Sequence, residues 1–183
     1  MKEGSRQAIH ILLGISFLLV LNLYSRKALE AGLFSALLLG ALATSFMMQG
    51  RRIPVLSWVV GKYERKGVRF PGYGSAWYAV GVLMASLFLA DAAQLSATIC
   101  LLAFGDGFST LVGRKGKARL PYNKSKTVEG TAAFFSFSLV SYVFIGPAAM
   151  PLAALAAIVE SLPIPFDDNL TVPLAAILFF ALL

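Results

Sequence analysis

The stretch 105–130, GDGFSTLVGRKGKARLPYNKSKTVEG, decides how the rest of this 183-residue chain is read. It opens as the end of an apolar helix and runs into a loop with six Lys or Arg residues. It then begins the next apolar helix with a carboxylate, Glu129. An isolated charge deep in a bilayer costs about 2.5 kcal/mol or more, so a charged residue within a membrane segment is a functional suspect. Asp106 and Glu129 flank a loop whose cations suit phosphates. The pattern points to chemistry on a charged, phosphorylated ligand at a membrane surface.

Working outward, 58% of the chain is hydrophobic and only 14% is charged, with a mean hydropathy of +0.76. A soluble domain of this length needs a fuller polar shell, so the class is a polytopic membrane protein. Cys100 is the single cysteine and sits in an apolar segment, which excludes an intrachain disulfide. A single histidine, His10, excludes a multi-histidine metal site within one chain. The net charge of +7 is accounted for by membrane topology rather than by nucleic-acid binding. Lys2 and Arg6 precede an apolar run, as in a signal peptide. That run is long and has no small-x-small cleavage site after it, so it is read as a retained first span.

Seven apolar segments follow one another, at roughly 7–24, 29–48, 75–91, 93–112, 129–146, 148–164 and 170–183. Several are shorter than the ~20 residues that cross a full hydrocarbon core. The expected fold is an all-α, polytopic transmembrane helical bundle of about seven spans. It forms a single integral membrane domain over 1–183, without internal repeats. Fourteen of the sixteen Lys and Arg residues lie at the N-terminus or in the loops after segments two and four, against Arg26 and Lys27 elsewhere. The positive-inside bias therefore places the N-terminus and both basic loops in the cytoplasm, at the cell membrane. The same count brings PFDDNLTVP (165–173) to that face. The stretch 54–66 reads as an amphipathic interfacial segment.

Each polar feature has a bland reading beside the functional one. Asp106, Ser109, Thr110 and Gly113 form one helix face, and small and hydroxyl residues are common where membrane helices pack. That accounts for Gly105 and Ser109 but not for an aspartate. Basic loops are ordinary on the cytoplasmic side. Here, however, Lys124 and Lys126 come just before Thr127, a candidate N-cap, and a helix N-terminus favours phosphate. Glu129 either complements the helix dipole or, with Asp106, helps to hold Mg²⁺, which prefers carboxylates and phosphate oxygens. Glu160, Asp167, Asp168 and Asn169 are either ordinary turn and cap composition or a ligand group on the lysine-bearing face. Arg6 and His10 project from one side of the first helix, and a lone interfacial His is commonly a packing residue. The soluble nucleotide motifs, a P-loop or a G-x-G-x-x-G after a strand, are missing, so any nucleotide site is built from helix ends and loops.

GDGFSTLVGR (105–114), NKSKTVEG (123–130) and AIVESLPIPFDDNLTVP (157–173) together resemble the membrane-embedded CTP-dependent lipid kinases. These are the dolichol kinase, phytol kinase and yeast-type diacylglycerol kinase group. The shared order is Gly-Asp near a helix end, Gly-Arg after it, a Lys-x-Lys-Thr-x-Glu-Gly block, then a Glu and an Asp-Asn pair. Arg6 and His10 resemble the family's Arg-Lys-x-x-His opening, with Gln7 where a lysine is common. Glu64 matches a charged position before the third span. The resemblance implies CTP as phosphate donor, a divalent cation such as Mg²⁺, and a lipid alcohol as acceptor: polyprenol or dolichol, phytol or geranylgeraniol, or diacylglycerol.

On that resemblance, Arg114, Lys124 and Lys126 are the phosphate clamps, with Gly105, Thr127, Gly130 and Asn169 completing the nucleotide site. Asp106, Glu129 and Asp168 hold the metal or orient the hydroxyl, and Glu160 supports them. Two alternatives stand beside this. One is a CTP-dependent cytidylyltransferase making a CDP-lipid, whose Ser-x-x-Lys-Arg and Pro-Gly-His-Gly-Gly hallmarks are missing. The other is a small anion or lipid-phosphate transporter, which should carry midplane charges and a repeat. Whether the chain forms a homo-oligomer is left open.

Overall fold

A computed structural model describes residues 3–63 and 67–183. The described residues form ten α-helices and short 3₁₀ and π turns, without a strand. Helices α1 (Glu3–Leu23) and α2 (Arg26–Met48) form an antiparallel pair. The turn between them is set by Ser25, whose Oγ accepts the Ala28 N–H at 3.1 Å as an N-cap. A short α3 (Pro54–Tyr63) begins at a proline, the residue best suited to a first helical position, and is followed by α4 (Tyr73–Phe88). Asp91 caps α5 (Ala92–Cys100) by accepting the Ala93 N–H at 2.9 Å. That helix continues through a π-helical turn, Leu101–Asp106, into α6 (Gly107–Gly113).

After the basic loop come α7 (Val128–Ser138), a 3₁₀ turn and α8 (Tyr142–Ile145). At Gly146 the chain takes φ +56°, a conformation other residues rarely adopt, and α9 (Ala149–Ser161) returns against α7. The last helix, α10 (Asp168–Ala181), packs on α4 and α9. Each of the seven apolar segments thus corresponds to a helical run, and α3 lies in the stretch read as interfacial. By length and composition four runs can cross a membrane: α1, α2, Ala92–Gly113 and Val128–Ser161. The last of these is folded back on itself at Gly146. Helices α4 and α10 are shorter apolar helices.

The continuous run from α5 to α6 is the axis of the bundle. In it 67% of the apolar window is buried, against 6% in α2, which presents its sides to the surroundings. Leu95, Ile99, Leu101 and Leu102 are fully enclosed, as are Val82 of α4, Leu152 of α9 and Val172 of α10. Lipid offers little hydrophobic drive for helices to associate, so close packing of small residues carries much of the contact. Gly113 and Gly130 let α6 and α7 touch through their backbones: a Cβ added to Gly130 would stand 3.0 Å from the Gly113 Cα. This contact brings the two ends of the basic loop together at one end of the bundle.

Candidate active site

Between α6 and α7 the basic loop folds as a narrow hairpin. The Val128 N–H donates to the Ala118 carbonyl at 2.8 Å, and the Leu120 N–H to the Lys126 carbonyl at 3.1 Å. Thr127 ends it: its Oγ accepts the Gly130 N–H at 3.1 Å and donates to the Gly113 carbonyl at 3.3 Å. Asn123 ties the tip to α9 by donating to the Ser161 carbonyl at 3.0 Å. With both ends held, Lys126 points back over the helix ends instead of outward.

Its Nζ lies 2.5 Å from Glu160 Oε1 at the end of α9 and 2.7 Å from Asp168 Oδ2 at the start of α10. Ser109 of α6 donates to the same Glu160 oxygen at 3.1 Å. Asp106 completes the group: oxygens of Asp106, Glu160 and Asp168 all lie within 4.8 Å of one another. Four elements therefore deliver one ammonium and three carboxylates to a single point. Burial disfavours the charged ammonium of Lys126, but the facing Glu160 and Asp168 outweigh it and raise its pKa above the ordinary lysine value.

Around this centre, His10 of α1 donates from Nε2 to the Leu102 carbonyl at 3.0 Å and lies 3.4 Å from Asp106 Oδ2. Its ring stacks on Tyr78, with centroids 4.1 Å apart. The carbonyl that His10 meets belongs to the π-helical turn that ends at Asp106, an irregularity frequent at functional sites. Asp167 caps α10, accepting the Asn169 N–H at 3.1 Å and its side-chain amide at 2.8 Å. Arg6 donates from Nε to Glu3 Oε1 at 2.7 Å, and Arg114 lies 3.6 Å from Glu3 Oε2. Glu3, Arg6, His10, Tyr78, Asp106, Arg114, Asp167 and Asn169 line one cavity of about 1110 Å³, as do Thr127 and Gly130.

Comparison with known proteins adds the family. A probable chloroplastic phytol kinase of Glycine max is 34% identical over 195 residues, 95% of this chain and 61% of its own length. A chloroplastic farnesol kinase of Arabidopsis thaliana is 29% identical over 194 residues, 94% of this chain and 63% of its own length. An uncharacterised protein of Methanocaldococcus jannaschii is 31% identical over 176 residues, 94% of this chain and 90% of its own. A probable chloroplastic phytol kinase of Triticum aestivum is 30% identical over 98% of this chain and 67% of its own length, and the chain belongs to the phytol kinase family. This is a family of phosphotransferases with an alcohol group as acceptor. The chain spans about three fifths of the length of the Glycine max and Arabidopsis thaliana kinases. No family model and no solved structure matches the chain.

Within this bundle the sequence-predicted residues divide. Asp106, Lys126 and Asp168 meet, and Ser109 and Glu160 join them; Arg6, His10, Arg114, Asp167 and Asn169 line the same cavity. Glu129 does not join the carboxylate cluster. Its Oε1 accepts the N–H groups of Lys117 and Ala118 at 2.8 and 3.2 Å, which braces the hairpin, and Glu160 stands where Glu129 was expected. Lys124 is exposed and lies outside the cavity lining, and Gly105 is buried in packing against Phe134 and Ser138. Glu64 lies outside the described residues. Sequence reasoning missed Glu3, which gathers Arg6 and Arg114, and Tyr78, which supports His10. Glu3 stands three residues before Arg6, a helical spacing that signals a pair. Tyr78 lies within an apolar run and carries no such signal.

Three carboxylates converging on one point fit a hard divalent cation. Glu160 Oε2 is buried and has no hydrogen-bond partner among the described residues, so it has an oxygen to offer. Lys126 within the cluster, and Arg6 and Arg114 in the same cavity lining, supply positive charge, the complement a nucleotide phosphate needs.

Proposed function

We propose that this chain is a CTP-dependent lipid-alcohol kinase. It transfers the γ-phosphate of CTP to the hydroxyl of a long-chain isoprenoid alcohol of the phytol, farnesol or polyprenol type. The observation that carries this is Lys126 seated between Glu160 and Asp168, beside Asp106, within a cavity that also reaches apolar walls. The donor assignment rests on the sequence resemblance, and the acceptor class on the kinases to which the chain is similar. The topology that suits this reading has seven crossings. The N-terminus, both basic loops and the cluster then lie at the cytoplasmic face, where the nucleotide is.

In such a transfer the alcohol oxygen bonds to the γ-phosphorus and the bond from that phosphorus to the β–γ bridging oxygen breaks. CDP leaves with the bonding electrons, and the hydroxyl proton passes to a carboxylate of the cluster. The protein contributes positioning and charge neutralisation. Lys126, Arg6 and Arg114 stand where they can hold phosphate oxygens. Asp106, Glu160 and Asp168 are the residues that would hold Mg²⁺. When bound, the ion neutralises charge on the phosphates.

Purified protein given CTP labelled in the γ position should pass the label to phytol, farnesol, geranylgeraniol or a polyprenol. Label in the α position should stay with the nucleotide. Transfer of α-label with release of pyrophosphate would make the chain a cytidylyltransferase. Efficient use of ATP without response to CTP would overturn the donor assignment.

A further inference from the structure

The cavity has two kinds of wall. Besides the charged cluster it is lined by Ile9 and Leu13 of α1, Val59, Val60 and Tyr63 of α3, and Val68. None of these side chains has a role in phosphate chemistry, and the aliphatic ones offer nothing to hydrogen-bond a nucleobase. Helix α1 carries both walls at once. Arg6 and His10 are four residues apart on its polar edge, and Ile9 and Leu13, also four apart, form the adjoining apolar edge. An apolar surface continuous with the charged cluster suits a molecule with a hydrocarbon tail and one polar end.

Helix α3 has the character of an interfacial element. Its ten residues are too few to cross a membrane, and none is buried. Val59 and Tyr63 share one face with Val60 beside them, and these line the cavity. Trp58 lies outside that lining and is 58% exposed, with the Lys62 ammonium 4.4 Å from its ring centroid. A Trp–Lys pair of this kind suits the headgroup level. Val55 is 76% exposed and also lies outside the lining.

We propose that α3, with the apolar edge of α1, is the binding wall for the acceptor's hydrocarbon tail, and that Val59 and Val60 set the length and bulk of chain accepted. This rests on the lipid-kinase reading and adds the residues that select the acceptor. The tail lies along Ile9, Leu13, Val59 and Val60, with its hydroxyl toward Asp106 and Lys126.

Two measurements test it. With Val60→Trp, the KM for geranylgeraniol should rise by about tenfold or more, and that for the shorter geraniol by less. The KM for CTP should not change. Independently of turnover, Val60→Cys should react with a maleimide and be protected by farnesol or geranylgeraniol, whereas Val55→Cys should react equally with or without alcohol. The native Cys100 is buried and gives little background. An active wild type whose Val60→Cys is not protected, or a Val60→Trp enzyme impaired equally toward every acceptor and toward CTP, would overturn the inference alone. A wild type that phosphorylates no alcohol would overturn the kinase reading and this inference with it.

Discussion

At the scale of single residues, charge and topology can be separated. Asp106→Asn keeps volume and hydrogen bonding while removing one charge from the cluster. Lys126→Gln removes one of the fourteen cations at the N-terminus and in the two basic loops, too few to invert the protein. Both should insert normally and lose about a hundredfold to a thousandfold in kcat, since a lost transition-state contact of this kind is worth about 3–4 kcal/mol. Arg51→Gln, in the other basic loop, should turn over at close to the wild-type rate. Equal losses in all three would mean that activity needs general positive charge rather than this site. A second comparison sets the two glutamates apart. Glu160→Gln should cut turnover as severely as Asp106→Asn and raise the divalent-cation concentration needed for half activity. Glu129→Gln should leave that concentration unchanged and lower thermal stability, because a neutral amide oxygen accepts the Lys117 and Ala118 N–H groups less strongly than the carboxylate does. Asp106, Lys126 and Asp168 were legible in the sequence because charge stands out against apolar segments. Read from the sequence, Glu129 stands with Asp106 at the metal because the two flank the basic loop, and Glu160 only supports them. Only the hairpin, which turns the Lys126 side chain toward α9 and α10, reverses that order.

At the scale of elements, the hinge of the site is the contact between α6 and α7. Gly130→Val would push a branched side chain into the Gly113 backbone and the Ser109 carbonyl, where a single Cβ already stands 3.0–3.2 Å away. The cost expected is about 1–3 kcal/mol. Thermal unfolding in detergent should record it as a lower midpoint, with turnover falling in parallel as Lys126 moves off Glu160. A normal midpoint would show that the helices separate there without penalty. The seven apolar helical runs are visible in the hydropathy pattern, because period and length are local properties. The π-helical turn at Leu101–Asp106 and the return at Gly146 are not. Each depends on which helix lies alongside: α1 with His10 in the first case, α7 in the second.

At the scale of the whole molecule, a site assembled from α1, the basic loop, α9 and α10 requires these parts to share one face of the membrane. Cysteines placed at Ser125 and Asp167 should label with an impermeant maleimide from the same side, and one at Lys27 from the opposite side. Labelling of Ser125 and Asp167 from opposite sides would separate Lys126 from Asp168 and dissolve the site. The order of the elements has a further consequence for how the protein is made. Asp106 leaves the ribosome about twenty residues before Lys126, and Asp168, one of the two partners that Lys126 needs, some forty residues after it. While the chain is being synthesised, the axis helix enters the membrane before Lys126 has been made, and the final helix brings the second carboxylate that Lys126 contacts. A chain released before α10 should therefore be recognised as unfinished and cleared faster than the full-length protein in a pulse-chase experiment.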